Sequence, residues 1–334
     1  MEKKIPLISI CIPTYNRADV LEKTLKQLVN DKGFDEEIEI VISDNASTDN
    51  TKQICESFVS IYPNVKYFQN TENIKDQNFP LSLDRATGRY LKLMKDNIDY
   101  SIGALSYMKD KINKHLIDKT PILFTNGLLF NEQKIDEYLC KSFEDFITHV
   151  SYQVTAIAIF GCWKEDWKLV EEKQKYSRLQ LAQDDWIYQI VERNKKVRLC
   201  TKKIYRMFDL NTKSRSGYNW FNVHVSNYYT ILQSYIDKGL VSDKSLKIEK
   251  KTYLKALKPA LVYTYLCKNI FPSWNFDTKG SFSILWKHFK DIPYLYVLII
   301  TFPIWGLWII AKYSLIRIIV LLGLWDFVKR KFLP

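Results

Sequence analysis

The stretch Glu37–Thr51, EIEIVISDNASTDNT, constrains this chain more than any other. Ile38, Ile40, Val41 and Ile42 form a short β-branched run, the composition of a strand buried in a parallel sheet. The run stops at Ser43-Asp44-Asn45, and Ser47, Thr48 and Asp49 offer N-caps for a helix over Thr51–Ser60, with Ile54, Phe58 and Val59 along one face. A buried strand thus ends in a carboxylate and turns into a helix. In open α/β sheets ligands bind outside the carboxyl ends of the strands. Asp44 stands at such an end, near a helix N-terminus that favours negative charge. Its competing role is simply to cap the turn.

The same punctuation recurs along the first hundred residues. Leu7–Ile12 reads as a strand running into Pro13-Thr14-Tyr15-Asn16-Arg17, then a helix over Asp19–Asn30 with Val20, Leu21, Leu25 and Leu28 on one face. Val65–Phe68 is a third strand, Asn70–Asn78 a polar loop, and Phe79–Ala86 a short helix ended by Gly88. Tyr90–Met94 is a fourth strand, breaking at Lys95-Asp96-Asn97-Ile98-Asp99. Strand–helix alternation of this kind predicts a parallel, doubly wound sheet. Three of its strands end in polar residues, which points to a ligand site on one sheet edge. Neither GxGxxG after the first strand nor GxxxxGK[ST] anywhere is present, which argues against a dinucleotide enzyme and a P-loop.

Further on, Pro121–Phe130 and Val154–Phe160 read as strands, and Val197–Phe208 as a hairpin or two short strands. A helix over about Gln180–Asn194 carries Asp184 and Asp185 in its first turn, with Ile187, Ile190 and Val191 as its buried stripe. Adjacent carboxylates there either complement the helix dipole or supply a general base. Trp163, Trp167 and Trp186 suit either a core or a sugar-stacking surface. Asn211–Tyr218 is a basic turn, and helices follow at about Trp220–Asp237 and Ser245–Cys267.

Six cysteines without a CxxC pair and four histidines without metal-ligand spacing exclude a disulfide framework and a zinc site. The +12 net charge over 334 residues is unevenly placed. Residues 241–334 hold 15 Lys+Arg against 5 Asp+Glu, a net of +10 that leaves only +2 for the rest. Within that tail, Ile292–Ala311 has no formal charge, Tyr313–Trp325 is interrupted only by Arg317, and Lys329-Arg330-Lys331 follow. A basic, apolar, tryptophan-rich tail on a nearly neutral body points to a membrane surface rather than to nucleic acid. Pro293, Pro303 and Gly306 are expected to break the run, so it forms interfacial or re-entrant helices, a span, or a buried contact between copies.

SICIPTYNRADVLEKTL followed by EIVISDNASTDNT, NTENIKDQNF and GRYLKLMKDN resembles the opening of inverting family 2 glycosyltransferases with the GT-A fold. QDDW and SRSGYNW are similar to the abequosyltransferase-like members that build bacterial surface polysaccharides. The resemblance covers about Ile8–Trp220. It implies a Rossmann-like, mostly parallel sheet flanked by helices over 1–218; beyond the resemblance, the chain's own patterning reads as a helical extension over 219–291 and a membrane-associating tail over 292–334. It implies transfer, with inversion, of a sugar from a nucleoside-diphosphate sugar to a saccharide acceptor linked to polyprenyl diphosphate, at the cytoplasmic face of the cell membrane. The alternatives are a non-catalytic scaffold homologue and a sugar nucleotidyltransferase. Thr14, Tyr15, Arg17, Asp44 and Asn45 are implied to line the nucleotide pocket, with Asp76 closing over the base. Asp96 is implied to begin the motif that holds ribose and a divalent Mg²⁺ or Mn²⁺ ion. The family shows two or three consecutive aspartates where this chain has Asp96-Asn97-Ile98, so either the loop shifts to bring Asp99 to the metal, or the site has fewer carboxylates and a basic side chain such as Arg215 neutralises the diphosphate instead. Asp185 matches the general base, with Asp184 in place of a glutamate.

Overall fold

The computed structural model describes residues 4–127, 135–207, 218–265 and 276–321. The first unit comprises the described residues up to 207 and those from Asn222 to Glu249. It begins with β1 (Ile8–Thr14), α1 (Ala18–Asn30), β2 (Ile38–Asp44), α2 (Thr51–Ile61), β3 (Val65–Gln69), α3 (Asn78–Asp84) and β4 (Tyr90–Leu93). β1 lies between β2 and β4 and pairs parallel with both, and β3 adds to β2 in parallel. All seven residues of β1 and of β2 are buried, as strands covered by helices on both faces require. In α1 the buried set is Ala18, Leu21, Thr24, Leu25 and Leu28, a helical stripe. In α2 it is Thr51, Cys55 and Phe58, whereas Val59 is exposed. Phe58 keeps its expected place and Ile54 packs partly buried against the core, so the buried face runs through Cys55 and leaves Val59 outside.

The parallel order is closed on one side by an antiparallel strand. After β5 (Ile98–Tyr100), α4 (Ala104–Lys114), β6 (Ile122–Phe124), β7 (Glu137–Cys140) and α5 (Phe143–Val150) comes β8 (Gly161–Trp163), which runs antiparallel to β4 and gives the order β3-β2-β1-β4-β8. Val154–Phe160, expected as a strand, forms two short 3₁₀ turns at Ser151–Thr155 and Ile157–Ile159. Val154, Ala158, Ile159 and Phe160 are buried all the same, and an apolar run by itself does not separate a buried strand from a buried turn. The strand starts at Gly161, where a Cβ would lie 2.9 Å from the Tyr90 ring, so only glycine lets β8 approach β4.

α6 (Lys164–Lys168), α7 (Ala182–Asn194), β9 (Val197–Cys200), β10 (Tyr205–Met207) and α8 (Tyr228–Asp237) complete this unit, with α9 (Asp243–Tyr265) starting in it. β9 and β10 are not a hairpin: β9 sits between β6 and β7, and β10 pairs antiparallel with β5. The break expected after β4 is therefore itself a short strand. Trp163, Trp167 and Trp186 are 1–2 % exposed, and each ring N–H donates within the protein, to Thr120 O, Asp84 Oδ1 and Lys173 O. They are core residues and offer no ring face to a sugar.

The second unit contains 218–221 and the described residues from Lys250 on, including α10 (Ser281–Phe289) and α11 (Pro293–Leu321). α11 is one helix through Pro303 and Gly306, where breaks were expected. Apolar helices tolerate such residues when neighbouring groups take up the freed carbonyl. Among the described residues no helix is long and apolar enough to cross a membrane.

Candidate active site

The carboxyl ends of β1, β2 and β4 are tied into one surface by their own loops. Asn45 N–H donates to Thr14 O at 2.9 Å, and Met94 N–H to Cys11 O at 2.9 Å. Asn16, in the left-handed region at φ 50°, accepts from Thr48 N–H at 2.7 Å, while its own N–H donates to Ser47 Oγ at 2.9 Å. Asp49 accepts from Ala18 N–H at 3.0 Å, at the start of α1, and from Thr51 N–H at 3.0 Å, at the start of α2. Thus Asp49 of the DNASTD segment takes up N–H groups at the starts of both helices, and Asn16 of PTYNR, about thirty residues away, braces that segment.

Asp96 follows β4 and is 4 % exposed. Its Oδ2 accepts from Thr14 Oγ1 at 2.9 Å and its Oδ1 from Arg17 Nη1 at 2.9 Å, while its backbone carbonyl accepts from Thr24 Oγ1. The Arg17 side chain is 37 % exposed and Tyr15 is 43 % exposed, so both reach solvent from this edge. Thr14, Arg17 and Asp96 therefore form one cluster, as read from the sequence. Asp44 is different. It is fully buried, with Oδ1 accepting from Ser47 N–H at 2.9 Å and Oδ2 from Tyr67 O–H at 2.7 Å. Burial and the Asp44 charge push the Tyr67 hydroxyl up, keeping it a donor. Asp44 is thus built into the turn, and the expectation of an accessible, non-core carboxylate is corrected. Beside it, Asn45 Oδ1 accepts from Ile74 N–H and Asn70 Nδ2, and its Nδ2 donates to Asn73 Oδ1 at 2.8 Å. The strand end so holds the whole 70–76 loop. Asp76 lies half-buried in a 3₁₀ turn (Lys75–Gln77) that packs on a second turn (Ser177–Leu179) just before α7; burial raises its pKa, with Lys75 opposing.

Asp99 does not join Asp96. It sits on β5, where Oδ1 accepts from Gln27 Nε2 at 2.6 Å and Oδ2 is paired with Arg206 of β10; these hydrogen bonds hold its carboxyl below the usual range. A hard divalent cation is held by several oxygens that converge on one point. Asp96 is turned to Thr14 and Arg17 and Asp99 to Gln27 and Arg206, and no group of three or more His, Cys, Asp or Glu that could hold a metal exists among the described residues. The two aspartates do not fit a ready-made cation site. The buried Asn97 Oδ1 has no hydrogen-bond partner among the described residues.

The α7 carboxylates form a separate cluster. Asp185 is 5 % exposed, with Oδ1 accepting from Tyr235 O–H of α8 at 2.7 Å and Oδ2 from Gln189 Nε2 at 2.8 Å. Tyr235 is clamped by stacking on Phe143 and by an edge contact with Tyr188. Asp184 is fully buried and neither carboxylate oxygen has a hydrogen-bond partner among the described residues; burial, then the neighbouring Asp185 charge, raise its pKa well above the carboxylate range. Asp184 is therefore favoured in its protonated form at this helix start. Arg215 lies outside the described residues. Thr24, Gln27, Tyr67, Asn73, Arg206 and Tyr235 carry much of this wiring and were not singled out in the sequence. Only the Asn-rich NTEN stretch carried a signal, the tendency of Asn side chains to organise loops.

Residues 9–163 match the sequence profile described as Glycosyl transferase family 2. The chain is 24% identical over 278 residues to the GalNAc(5)-diNAcBac-PP-undecaprenol beta-1,3-glucosyltransferase of Campylobacter jejuni, covering 79% of this chain and 85% of that protein. It is 44% identical over 86 residues to the abequosyltransferase RfbV of Salmonella typhimurium, a match that spans 25% of this chain and 26% of that one. Among solved structures, S. aureus TarS 1-349 in complex with UDP-GlcNAc superimposes with a TM-score of 0.53 at 17% identity, covering 86% of this chain and 81% of that one, a likeness of fold.

Proposed function

We propose that this chain, whose residues 9–163 match the family 2 glycosyltransferase profile, is a glycosyltransferase that moves a sugar from a nucleoside-diphosphate sugar to a lipid-linked saccharide acceptor, with inversion, on a membrane surface. The observation that carries the reading is the division of labour between two clusters. One is the laced strand-end surface of Thr14, Tyr15, Arg17 and Asp96, with Asn45 ordering the 70–76 loop. The other is a buried carboxylate, Asp185, held at both oxygens at the start of a helix.

In this reading the first cluster takes the donor. Arg17 and Asp96 address ribose and diphosphate, and the loop carrying Asp76 closes on the base. Asp44 acts from beneath by fixing Ser47 and Tyr67. Asp185 is the general base. Each carboxylate oxygen retains a second lone pair after accepting from Tyr235 or Gln189, so an acceptor hydroxyl can donate to it. That proton passes to Asp185 while the hydroxyl oxygen attacks the anomeric carbon and the bond to the diphosphate breaks on the opposite face. Tyr235 and Gln189 set the carboxylate's direction. A divalent cation is typical of enzymes with this fold, but the aspartates here do not fit one, so no step is routed through it. The similarity of this chain to the C. jejuni enzyme, whose name specifies a PP-undecaprenol acceptor, supports the lipid-linked acceptor; in this reading the protein sits peripherally on the cytoplasmic face of the cell membrane.

The test is Asp185→Asn. It is expected to lower turnover by about 10²–10⁴-fold while donor affinity, read by calorimetry, stays near wild type. Near wild-type turnover would remove Asp185 from the chemistry.

A further inference from the structure

The second unit contains an apolar groove of about 190 Å³ between the end of α9, α10 and the first turns of α11. Leu261, Phe282, Leu285, Trp286, Leu298 and Phe302 form most of its wall. The tyrosine at its edge, Tyr265, turns its hydroxyl to Ser281 Oγ, so no polar atom is aimed into the groove. Phe282 and Trp286 are 56 % and 42 % exposed, leaving the mouth open to solvent. Small-molecule sites run to about 300–1,000 Å³ and place a few polar groups to orient the ligand. This groove is smaller and has none, which excludes a sugar nucleotide and suits a length of hydrocarbon chain.

Two further features say where such a chain comes from. The exposed face of α11 continues as Ile300, Ile304, Leu307 and Trp308, an apolar patch of the kind that marks a membrane or protein contact. Cations flank it. Lys258 Nζ lies 3.5 Å from the centroid of Trp305, Lys255 Nζ 5.9 Å from that of Tyr294, and Lys287 and Lys290 are exposed on and just after α10. Asp291, just after α10, is already bonded to Lys250. Lysines bordering exposed tryptophan and aliphatic side chains match an anionic headgroup above its own tail.

We propose that this groove takes one acyl chain of an anionic phospholipid from the bilayer once the charged and apolar surface around it has docked the protein there. The inference rests on the membrane-surface reading above. It is tested with the full chain and vesicles of phosphatidylglycerol or phosphatidylcholine, each doped with the same lipid carrying a mid-chain diazirine. Sedimentation reads docking, and peptide mapping after illumination reads the groove.

Phosphatidylglycerol vesicles are expected to bind at least about tenfold more protein than phosphatidylcholine, with adducts on Phe282, Leu285, Trp286 or Leu298. Leu298→Trp, which fills the groove, and Trp286→Ala, which opens its rim, should each lose most of the adduct while sedimentation changes less than about twofold. The second variant guards against a folding defect in the first. Adducts confined to Ile300, Ile304 and Leu307 would overturn the groove and leave the surface reading standing. Failure to sediment with either vesicle would overturn both. Adducts replaced by a stable dimer in which these residues cross-link chain to chain would assign the groove to a second copy and overturn the proposal.

Discussion

At the scale of single residues, the decisive facts are which oxygens are already engaged. Asp44 ends a strand, as an accessible ligand-binding carboxylate would, yet it is sealed under Ser47 and Tyr67. Asp44→Ala should therefore cost stability as well as donor affinity, because a partly buried O–H and N–H lose their acceptor. A loss of about 1–3 kcal/mol is expected, read as a lower chemical-denaturation midpoint at unchanged slope; a midpoint equal to wild type would return Asp44 to the surface. Asp185 depends on Tyr235 in the same manner. Tyr235→Phe should lower turnover by about tenfold and leave the donor Kd alone, because the phenyl ring keeps the packing and only the carboxylate's aim is loosened. An unchanged turnover in that variant would mean that the bond is structural only. For Asp96 the prediction concerns metal. A cation that reaches the diphosphate has to compete with Arg17 and Thr14 for the same carboxylate, so any activation by Mn²⁺ is expected to build up across the millimolar range. Saturation at micromolar Mn²⁺ would contradict the geometry.

At the scale of elements, β4 carries a feature that the strand pattern does not announce. Lys92 is fully buried in the sheet, its ammonium directed at the carbonyls of Ala158, Phe160 and Leu93. Burial pushes its pKa down to about 7. Between about pH 7 and the unfolded lysine value, the unfolded chain binds a proton that the folded chain does not, so stability rises with pH across that window and the penalty is fully present below it. Lys92→Met should abolish this rise. Urea denaturation of both proteins at pH 6 and pH 9 checks it: the stability difference between wild type and variant is expected to shift in favour of wild type by a few kcal/mol on going to the higher pH. A difference independent of pH would show that Lys92 stays charged on its three carbonyls.

At the scale of the whole molecule, two units carry two kinds of surface, a near-neutral α/β body and a cationic, apolar helical region. The full chain is expected to fractionate with membranes, to resist high salt and to be released by detergent, since exposed aliphatic and tryptophan side chains on α11 add an apolar contribution that salt does not screen. Complete release by salt would leave charge as the whole of the attraction, and recovery of all the protein in the soluble fraction would end the membrane reading.

The order of elements through β4, and α7 with its paired aspartates, followed from the sequence alone, because period and composition are local properties that tertiary packing then had only to accept. The cluster of Thr14, Arg17 and Asp96 was equally legible, since strand ends in a parallel sheet are brought to one edge by topology. What the sequence withheld was pairing. Whether Val154–Phe160 became a strand or two turns, whether β9 and β10 met each other or other strands, and whether Asp99 turned toward Asp96 or toward Gln27 and Arg206 each depended on partners tens of residues away. The same holds for Asp44, whose exposure was decided by a tyrosine on the neighbouring strand, and for Asp185, whose direction is set by a hydroxyl fifty positions downstream. Hydrogen-bond satisfaction in a buried site is a property of three-dimensional neighbours, and it was the tertiary structure that chose them.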